Sequence, residues 1–260
     1  MINHKFKKKF GQNFLQDNNI IRKIADVCDT NQDDLIIEIG PGAGALTEEL
    51  VKKAHVLAYE IDIDLKEELN NKFSGKNVDF IFDDFLNRNI KEDIANINYK
   101  NLYVIANLPY YITTPIINKI IENKVDVNQM VLMVQKEVGD RFSAHIGTKD
   151  YSSITVFLNY YFDIKKEFIV NRNSFYPKPN VDSIIISFIK KKNKVYVEDE
   201  NKFFKLVKDS FVQKRKTLRN NLKAYDFDKI NEILSKNNLP SDVRAENISL
   251  EIFAEISNNL

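Results

Sequence analysis

The sequence has few of the residues and segments that mark several common protein classes. A single cysteine, Cys28, excludes an internal disulfide framework. The three histidines, His4, His55 and His145, are too far apart along the chain to suggest a metal cluster by spacing. No apolar run approaches the roughly 18 residues that a membrane span needs, and residues 1–15 lack the apolar core of a signal peptide. We therefore expect a soluble, cytoplasmic protein with no metal and no membrane association.

Charge is balanced overall but concentrated locally. The formal net charge is +1, yet a lysine cluster precedes any acid, and residues 202–223 carry eight basic residues against one acid. This distribution favours a polyanionic partner, although charge runs of this kind are more often simply solvated surface. The spacing of charged and apolar residues from 215 to 222 predicts a helix over that range. The candidate contacts to a polyanion are Lys7, Lys8, Lys9, Lys214, Arg215, Lys216, Arg219 and Lys223, with Arg215, Arg219 and Lys223 on one helical stripe at four-residue intervals.

A strand, a glycine loop and a helix are predicted over residues 35–53, the unit that binds nucleotides in doubly wound sheets. The loop reads Gly-Pro-Gly-Ala-Gly, which departs from the dinucleotide pattern, so a ligand with a nucleoside but no pyrophosphate fits it better. Gly40 and Gly42 would let such a ligand approach the backbone. The next predicted strand ends at Glu60, where a carboxylate can accept the hydroxyls of a ribose. Together these features are the signature expected of an S-adenosylmethionine site.

Two further predicted strands end in polar residues. Residues 78–82 lead to Asp84, which can accept a hydrogen bond from an adenine amine, and residues 102–106 lead to Asn107. Because the carboxyl ends of parallel strands share one edge of a sheet, Gly40, Glu60, Asp84 and Asn107 are expected to lie along that edge.

The segment Asn107-Leu108-Pro109-Tyr110 combines fixed acceptors with an aromatic face. These groups suit a planar ring that carries an exocyclic amine, because acceptors can hold both of its protons while the ring is stacked. Taken alone, the segment also fits a plain turn that ends a strand. Phe175, in a proline-rich loop, could supply a second face for the base or could simply pack in the core.

The alternation of strands and helices stops near residue 190, and the rest of the chain has helical patterns. We therefore predict a domain at residues 1–189, with a basic N-terminal arm, and a small helical domain at residues 190–260 whose basic residues favour a polyanionic partner. The predicted fold is α/β, a Rossmann-like methyltransferase sheet followed by this small helical domain.

Five segments together resemble the ribosomal RNA adenine N6-dimethyltransferases, and they span nearly the whole chain. The segments are FGQNFL at 10–15, EIGPGAG at 38–44, NLPYYITTP at 107–115, FYPKPNVDS at 175–183 and FVQKRKTLRNNL at 211–222. The resemblance is strongest to the branch that dimethylates two adjacent adenosines in the 3′-terminal hairpin of 16S rRNA in the small ribosomal subunit. A large-subunit, 23S rRNA enzyme that confers macrolide resistance is the main alternative within the family.

The resemblance implies roles for particular residues. It implies that S-adenosylmethionine is the cofactor and that Asn13, Leu15, Gly40, Gly42, Glu60, Asp84 and Asn107 contact it. It also implies that residues 107–110 hold the target adenine, with Tyr110 and Phe175 stacked on it. It further implies that the domain at residues 190–260 docks on RNA and that the protein is a monomeric enzyme acting on 16S rRNA. A DNA or small-molecule methyltransferase on the same fold, or an RNA-binding assembly factor without turnover, are the competing hypotheses.

Overall fold

The computed structural model describes residues 14–108 and 112–260, with side-chain surroundings from Leu15 onward. The chain divides into two compact units. The first contains the described residues up to Gly139 together with Lys165–Ile189, and the second contains Asp140–Ile164 and Lys190–Leu260. No helix in the described ranges is long and apolar enough to cross a membrane.

The strands of the described chain are mostly short and apolar. They are β1 (Phe14–Leu15), β2 (Leu35–Ile39), β3 (His55–Tyr59), β4 (Val78–Ile81), β5 (Leu102–Asn107), β6 (Gln129–Gln135), β7 (Phe162–Val170), β8 (Phe175–Tyr176) and β9 (Ser183–Lys190). β2, β5 and β6 read as nearly continuous apolar runs because strands in the middle of a parallel sheet are covered on both faces.

The helices range from one turn to three. They are α1 (Asn18–Ala25), α2 (Thr47–Leu50), α3 (Lys66–Lys72), α4 (Ile90–Ile94), α5 (Thr113–Glu122), α6 (Lys136–Phe142), α7 (Ser153–Tyr161), α8 (Glu200–Ser210), α9 (Leu218–Asn221), α10 (Phe227–Lys236) and α11 (Leu250–Asn259). Several begin at a side chain that caps free backbone N–H groups, as Asp17 does for α1 and Asp199 for α8.

A seven-stranded sheet with the order β4-β3-β2-β5-β6-β9-β7 organises the fold. Strands β2 to β6 are mutually parallel, and β9 runs antiparallel to β6. The strand order reverses at β2, which has β3 on one side and β5 on the other, and ligands bind at such switch points in open α/β sheets. The predicted α/β fold class is confirmed.

The division into units differs from the predicted boundaries in one segment. Asp140–Ile164 groups with the C-terminal helices rather than with the sheet. The reason lies in α7, because its residues Val156 and Tyr160 are buried in the same apolar cluster as Phe203 and Phe253. Periodicity along the chain indicates that α7 is helical, but it carries no information about which core the helix joins.

Two predicted elements are shorter than expected. The helix expected over residues 45–53 is reduced to the single turn α2, which is flanked by turns. The helix expected over residues 215–222 begins only at Leu218, because Thr217 is extended and its side chain accepts the N–H of Asn220 as an N-cap. The predicted stripe of Arg215, Arg219 and Lys223 on one helix is therefore wrong.

Candidate active site

Residues at the carboxyl ends of four strands meet along one edge of the sheet. In register, Ile39 of β2 pairs with Tyr59 of β3 on one side and with Ala106 of β5 on the other. Gly40, Glu60 and Asn107 come directly after these three paired residues. Asp84 follows the end of β4, the strand that pairs with β3 on its other side. The strand order therefore places Asp84, Glu60, Gly40 and Asn107 in sequence across the edge, as the sequence predicts.

The glycine loop leaves space at its first position and none at its last. Gly40 has a φ of +72°, and a Cβ built there would meet no heavy atom within 4 Å. Gly44 has a φ of +75°, and a Cβ there would lie 2.5 Å from Cε2 of Phe73. The loop is therefore packed against α3 at one end and open beside Glu60 at the other, which is the arrangement that a ligand lying close to the backbone requires.

Glu60 is almost fully buried, and its carboxylate holds the glycine loop in place. One oxygen, Oε2, accepts the backbone N–H of Gly42 at 2.9 Å, and Oε1 accepts the N–H of Asp62 at 2.8 Å. Burial raises the pKa of Glu60, and the two backbone donors oppose that rise. A carboxylate oxygen can accept more than one hydrogen bond, so Glu60 can bind ribose hydroxyls while it holds the loop.

Glu38 is a second buried acid at this edge, and sequence reasoning assigned it no role of its own. It is the single charged residue of β2, and its Oε2 accepts the hydroxyl of Thr47 at 2.7 Å. Burial raises the pKa of Glu38 to about 8, against the opposing effect of the Thr47 hydrogen bond, and the nearby charge of Glu60 adds to the rise. The sequence feature that could have identified Glu38 is that it is the one acid in an otherwise apolar predicted strand.

The raised pKa of Glu38 predicts that stability depends on pH. The folded protein keeps the Glu38 proton up to about pH 8, whereas the unfolded chain releases it near pH 4.3. The protonated Glu38 side chain therefore contributes its full stabilisation below the unfolded pKa, and this contribution to the free energy of unfolding is lost as the pH rises toward 8. We expect Glu38→Gln, which cannot ionise, to gain stability relative to the parent by up to about 1.4 kcal/mol per pH unit between pH 5 and 8.

Denaturant unfolding at pH 5.5, 6.5 and 7.5 measures this difference. The control is Glu67→Gln on the exposed face of α3, for which we expect a difference that does not change with pH. Glu60 is present in all three proteins, but its charge raises the pKa of Glu38, so the comparison measures the titration of Glu38 together with its coupling to Glu60. A constant difference between Glu38→Gln and the parent would show that Glu38 is ionised in the folded protein at neutral pH.

Asp84 and Asn107 complete the edge. Asp84 is half-buried, and its Oδ1 accepts the N–H of Leu86 at 2.9 Å, which caps the short 3-10 helix Phe85–Asn87. Asn107 is half-buried at the end of β5, where it pairs with Met133, and Leu108 is buried. Pro109 and Tyr110 lie outside the described residues, so their predicted roles stay predictions.

The proline-rich loop meets the end of the N-terminal arm. β1 pairs antiparallel with β8, so that Leu15 is opposite Phe175, and the N–H of Gln16 donates to the carbonyl of Ser174 at 2.9 Å. The sequence did not predict this pairing, because two-residue strands have no periodicity to detect. Asn13 and the arm lysines, Lys7, Lys8 and Lys9, lie outside the described residues.

Phe175 is not an exposed stacking surface in this structure. It is only 5% exposed and belongs to the apolar cluster that includes Leu15 and Ile21, whereas its neighbour Tyr176 is 55% exposed. The burial of Phe175 favours the interpretation that this ring packs in the core. Adjacent side chains of a strand point to opposite faces, which is why Tyr176 is exposed instead. Stacking of Phe175 on a base stays a prediction.

The five candidate RNA contacts of the second unit lie on α9 and in the turns before and after it, and all are exposed. They are Lys214, Arg215, Lys216, Arg219 and Lys223. Among the described residues none of these five forms an ion pair with an acid, whereas Lys205 pairs with Asp209 and Lys236 with Glu255 in the same unit. The turn is held by Asn221, whose Nδ2 donates to the carbonyl of Ser210 at 2.7 Å.

Comparisons with known proteins agree on the family. The sequence model of the family described as ribosomal RNA adenine dimethylase matches residues 3–260. A relative from Streptococcus gordonii, named ribosomal RNA small subunit methyltransferase A, is 45% identical, with 98% of this chain and 92% of the relative aligned. A relative of the same name from a Geobacillus species is 43% identical over 98% of this chain and 91% of its own length.

Solved structures share the fold. A dimethyladenosine transferase from Plasmodium falciparum superposes with a TM-score of 0.79 and 25% identity, with 94% of this chain and 95% of that chain covered. The 23S rRNA methyltransferase ErmE superposes with a TM-score of 0.77 over 95% of this chain and 99% of its own, at 24% identity. The second likeness concerns the fold alone.

Proposed function

The chain belongs to the ribosomal RNA adenine dimethylase family, and from that premise we propose that it uses S-adenosylmethionine to dimethylate two adjacent adenosines of 16S rRNA at N6. The target is the 3′-terminal hairpin of the small subunit, and the reaction accompanies subunit biogenesis. The observation that carries this proposal is the row of Asp84, Glu60, Gly40 and Asn107 along one sheet edge of a chain that matches the family over nearly its whole length.

The residues of the first unit fit the cofactor. The open space at Gly40 and the buried carboxylate of Glu60 are next to each other at the switch point, and we assign the ribose hydroxyls to Glu60. The adenine amine is assigned to Asp84, and Asn13, Leu15 and Gly42 are further contacts. When bound, the cofactor supplies a methyl group on a positively charged sulfur.

Asn107 and Leu108 are assigned to the target amine. The lone pair of adenine N6 is delocalised into the ring, which makes the amine a poor nucleophile. If Asn107 Oδ1 and the carbonyl oxygen of Leu108 accept hydrogen bonds from its two N–H groups, a more tetrahedral nitrogen is favoured and its lone pair becomes available. Positioning and electrostatics then supply most of the rate acceleration, without a strong general base. Tyr110 is assigned to stack on the flipped base.

The second unit and the N-terminal arm are assigned to RNA. The five exposed basic residues have no acidic partner in the described chain, so they are available to phosphates. The arm lysines add charge of the same sign. We propose a monomeric enzyme that acts in the cytoplasm on the small subunit, and the small-subunit names of the two bacterial relatives favour it over a 23S rRNA target.

The function is tested by following one modification. Small and large subunits from cells that lack this gene are incubated with the purified protein and S-adenosylmethionine, and the RNA is digested and analysed by mass spectrometry. We expect two N6,N6-dimethyladenosines in the 3′-terminal hairpin of 16S rRNA and none in 23S rRNA. Methylation confined to 23S rRNA would establish the alternative, and no transfer to either RNA would contradict the proposal.

A conservative change at Glu60 tests the cofactor assignment. Glu60→Gln keeps the size of the side chain but replaces one acceptor oxygen with an NH₂ group, which cannot accept the N–H of Gly42 or Asp62. We expect affinity for S-adenosylmethionine, measured by calorimetry, to fall by about 1 kcal/mol. Glu67→Gln on exposed α3 should bind as the parent does, and unchanged affinity in Glu60→Gln would remove Glu60 from the site.

A further inference from the structure

A network of charged and aromatic side chains connects the ends of β3 and β4 to α4. It begins at Tyr59, the last residue of β3 and the neighbour of Glu60. The ring of Tyr59 is fully buried and meets Phe85 edge-on, with centroids 5.0 Å apart and planes at 84°. Its hydroxyl donates to Oδ2 of Asp93 in α4 at 3.1 Å. Burial raises the pKa of Tyr59, and Asp93 adds to the rise, so the hydroxyl stays protonated and remains a donor.

Arg88 joins the same aspartate to the end of β4. Its Nε donates to Oδ2 of Asp93 at 3.1 Å, its Nη2 donates to Oδ1 of Asp93, and its Nη1 lies 3.5 Å from Oδ2 of Asp83. The planar guanidinium can grip one carboxylate with two parallel bonds and still reach another, which a lysine cannot do. The side chain of Asp93 is nearly buried, so it depends on these donors.

Asp84 lies between Asp83, which Arg88 contacts, and Phe85, which the ring of Tyr59 contacts. Its backbone N–H donates to Oδ1 of Asp83 at 2.7 Å, and its own Oδ1 accepts the N–H of Leu86. On one side Arg88 holds Asp83, and on the other side Tyr59 holds Phe85 by ring contact. The carboxylate of Asp84 is therefore fixed through its two chain neighbours.

The geometry points to Arg88, Asp93 and Tyr59 as positioning residues that hold Asp84 where it can select adenine in the cofactor. This inference rests on the proposed function, because it takes Asp84 as the acceptor for the purine 6-amine. A fixed carboxylate accepts a 6-amino donor and repels a 6-oxo acceptor, whereas a carboxylate that can turn toward water discriminates less. Without Arg88, Asp83 and Asp93 lose their cation, and the acids near Asp84 repel one another.

Base selectivity is the measurement that separates positioning from general stability. Calorimetry measures the affinities of the parent and of each variant for S-adenosylhomocysteine and for its analogue in which hypoxanthine replaces adenine. We expect the parent to prefer the adenine ligand. In Arg88→Gln the preference should fall by about tenfold, equivalent to about 1.4 kcal/mol, with most of the loss on the adenine ligand. Arg88→Lys should restore little, since an ammonium cannot form the paired bonds.

Two further variants keep the test decisive. Tyr59→Phe keeps the buried ring and both Arg88–Asp93 hydrogen bonds and removes only the hydroxyl, so it is the variant that tests the inference if Arg88→Gln does not fold. We expect a loss of preference of about threefold. Lys100→Gln removes the exposed ion pair with Asp33 at the other end of β5 and should leave the preference unchanged.

The outcomes distinguish this inference from the function on which it rests. If the parent prefers the adenine ligand and both Arg88→Gln and Tyr59→Phe keep that preference, the positioning role is overturned while the proposed enzyme stands. Equal losses for both ligands would also overturn it, because they indicate a general effect on the fold. A parent that binds neither ligand overturns both the inference and the cofactor assignment.

Discussion

Asn107→Ala is expected to reduce methyl transfer to small ribosomal subunits by more than about a hundredfold, equivalent to more than about 2.7 kcal/mol in the barrier. The side chain lies at the end of β5, where strand pairing with Met133 fixes its backbone. Alanine removes the Oδ1 acceptor but leaves the strand intact. The target amine then loses one of two acceptors, and with it the orientation of its lone pair.

The expected loss is in the chemical step rather than in binding or folding. We therefore expect an unchanged melting temperature and little change in affinity for small subunits, with only a modest loss of affinity for S-adenosylmethionine. Single-turnover transfer at saturating cofactor isolates the chemical step, because it excludes product release. Asn71→Ala, an exposed asparagine on α3, is the matched control and should transfer at the parental rate.

The result can contradict the assignment in two ways. If transfer in Asn107→Ala stays within about tenfold of the parent, a change of about 1.4 kcal/mol, the acceptor role of Asn107 is wrong. If the melting temperature falls together with the rate, the side chain supports the strand end rather than the reaction.

Most of the sheet edge could be predicted because each part of it has a local signal. Apolar runs in the interior of a parallel sheet end abruptly, and the first polar residue after each run marks the carboxyl end of a strand. This rule located Glu60 and Asn107 directly and the Asp83-Asp84 pair after β4, and the strand order places Glu60 and Asn107 on either side of Gly40 with Asp84 beyond Glu60. The glycine loop was predictable for the same reason, since Gly40 and Gly44 require a backbone that other residues rarely adopt.

The features that sequence reasoning missed depend on contacts between distant segments. Phe175 looks like any other loop aromatic until its pairing with Leu15 buries it. Arg88 and Asp93 have no distinguishing pattern in the sequence, and their pairing with each other and with the hydroxyl of Tyr59 is visible only in the structure. Residues 140–164 follow the pattern of the α/β unit, but tertiary packing of α7 assigns them to the helical core.

The basic turn before α9 takes the place of the first part of the predicted helix, and this changes where the two arginines lie. Periodicity favours a helix through residues 215–222, but the cap at Thr217 starts α9 late. Arg215 therefore lies on the turn that precedes the helix, while Arg219 lies on the helix with its guanidinium 5.2 Å from the ring of Phe227. A stacked guanidinium still has donors free at its edge, so the two arginines remain exposed cations without acidic partners in the described chain.

We expect the double variant Arg215→Gln, Arg219→Gln to bind small subunits about tenfold to a hundredfold more weakly at low salt. Each phosphate contact releases condensed counterions, so the loss of two cations should flatten the slope of log affinity against log salt by about one to two units. Cofactor affinity should not change, because the second unit contributes none of the residues assigned to S-adenosylmethionine. Matched and unmatched RNA should weaken alike, since phosphate contacts carry no sequence information.

The matched control removes the same amount of charge from the same unit. Lys205→Gln, Lys236→Gln deletes two cations that are 70% and 74% exposed but already paired with Asp209 and Glu255. If the exposed turn docks on phosphates, binding across a salt series should show a flatter slope for the arginine variant and a parental slope for the lysine variant. Equal slopes in the two variants would mean that only net charge matters, and a loss of binding that follows the melting temperature would mean that the arginines support the fold. Either result would remove the turn from the RNA-binding surface.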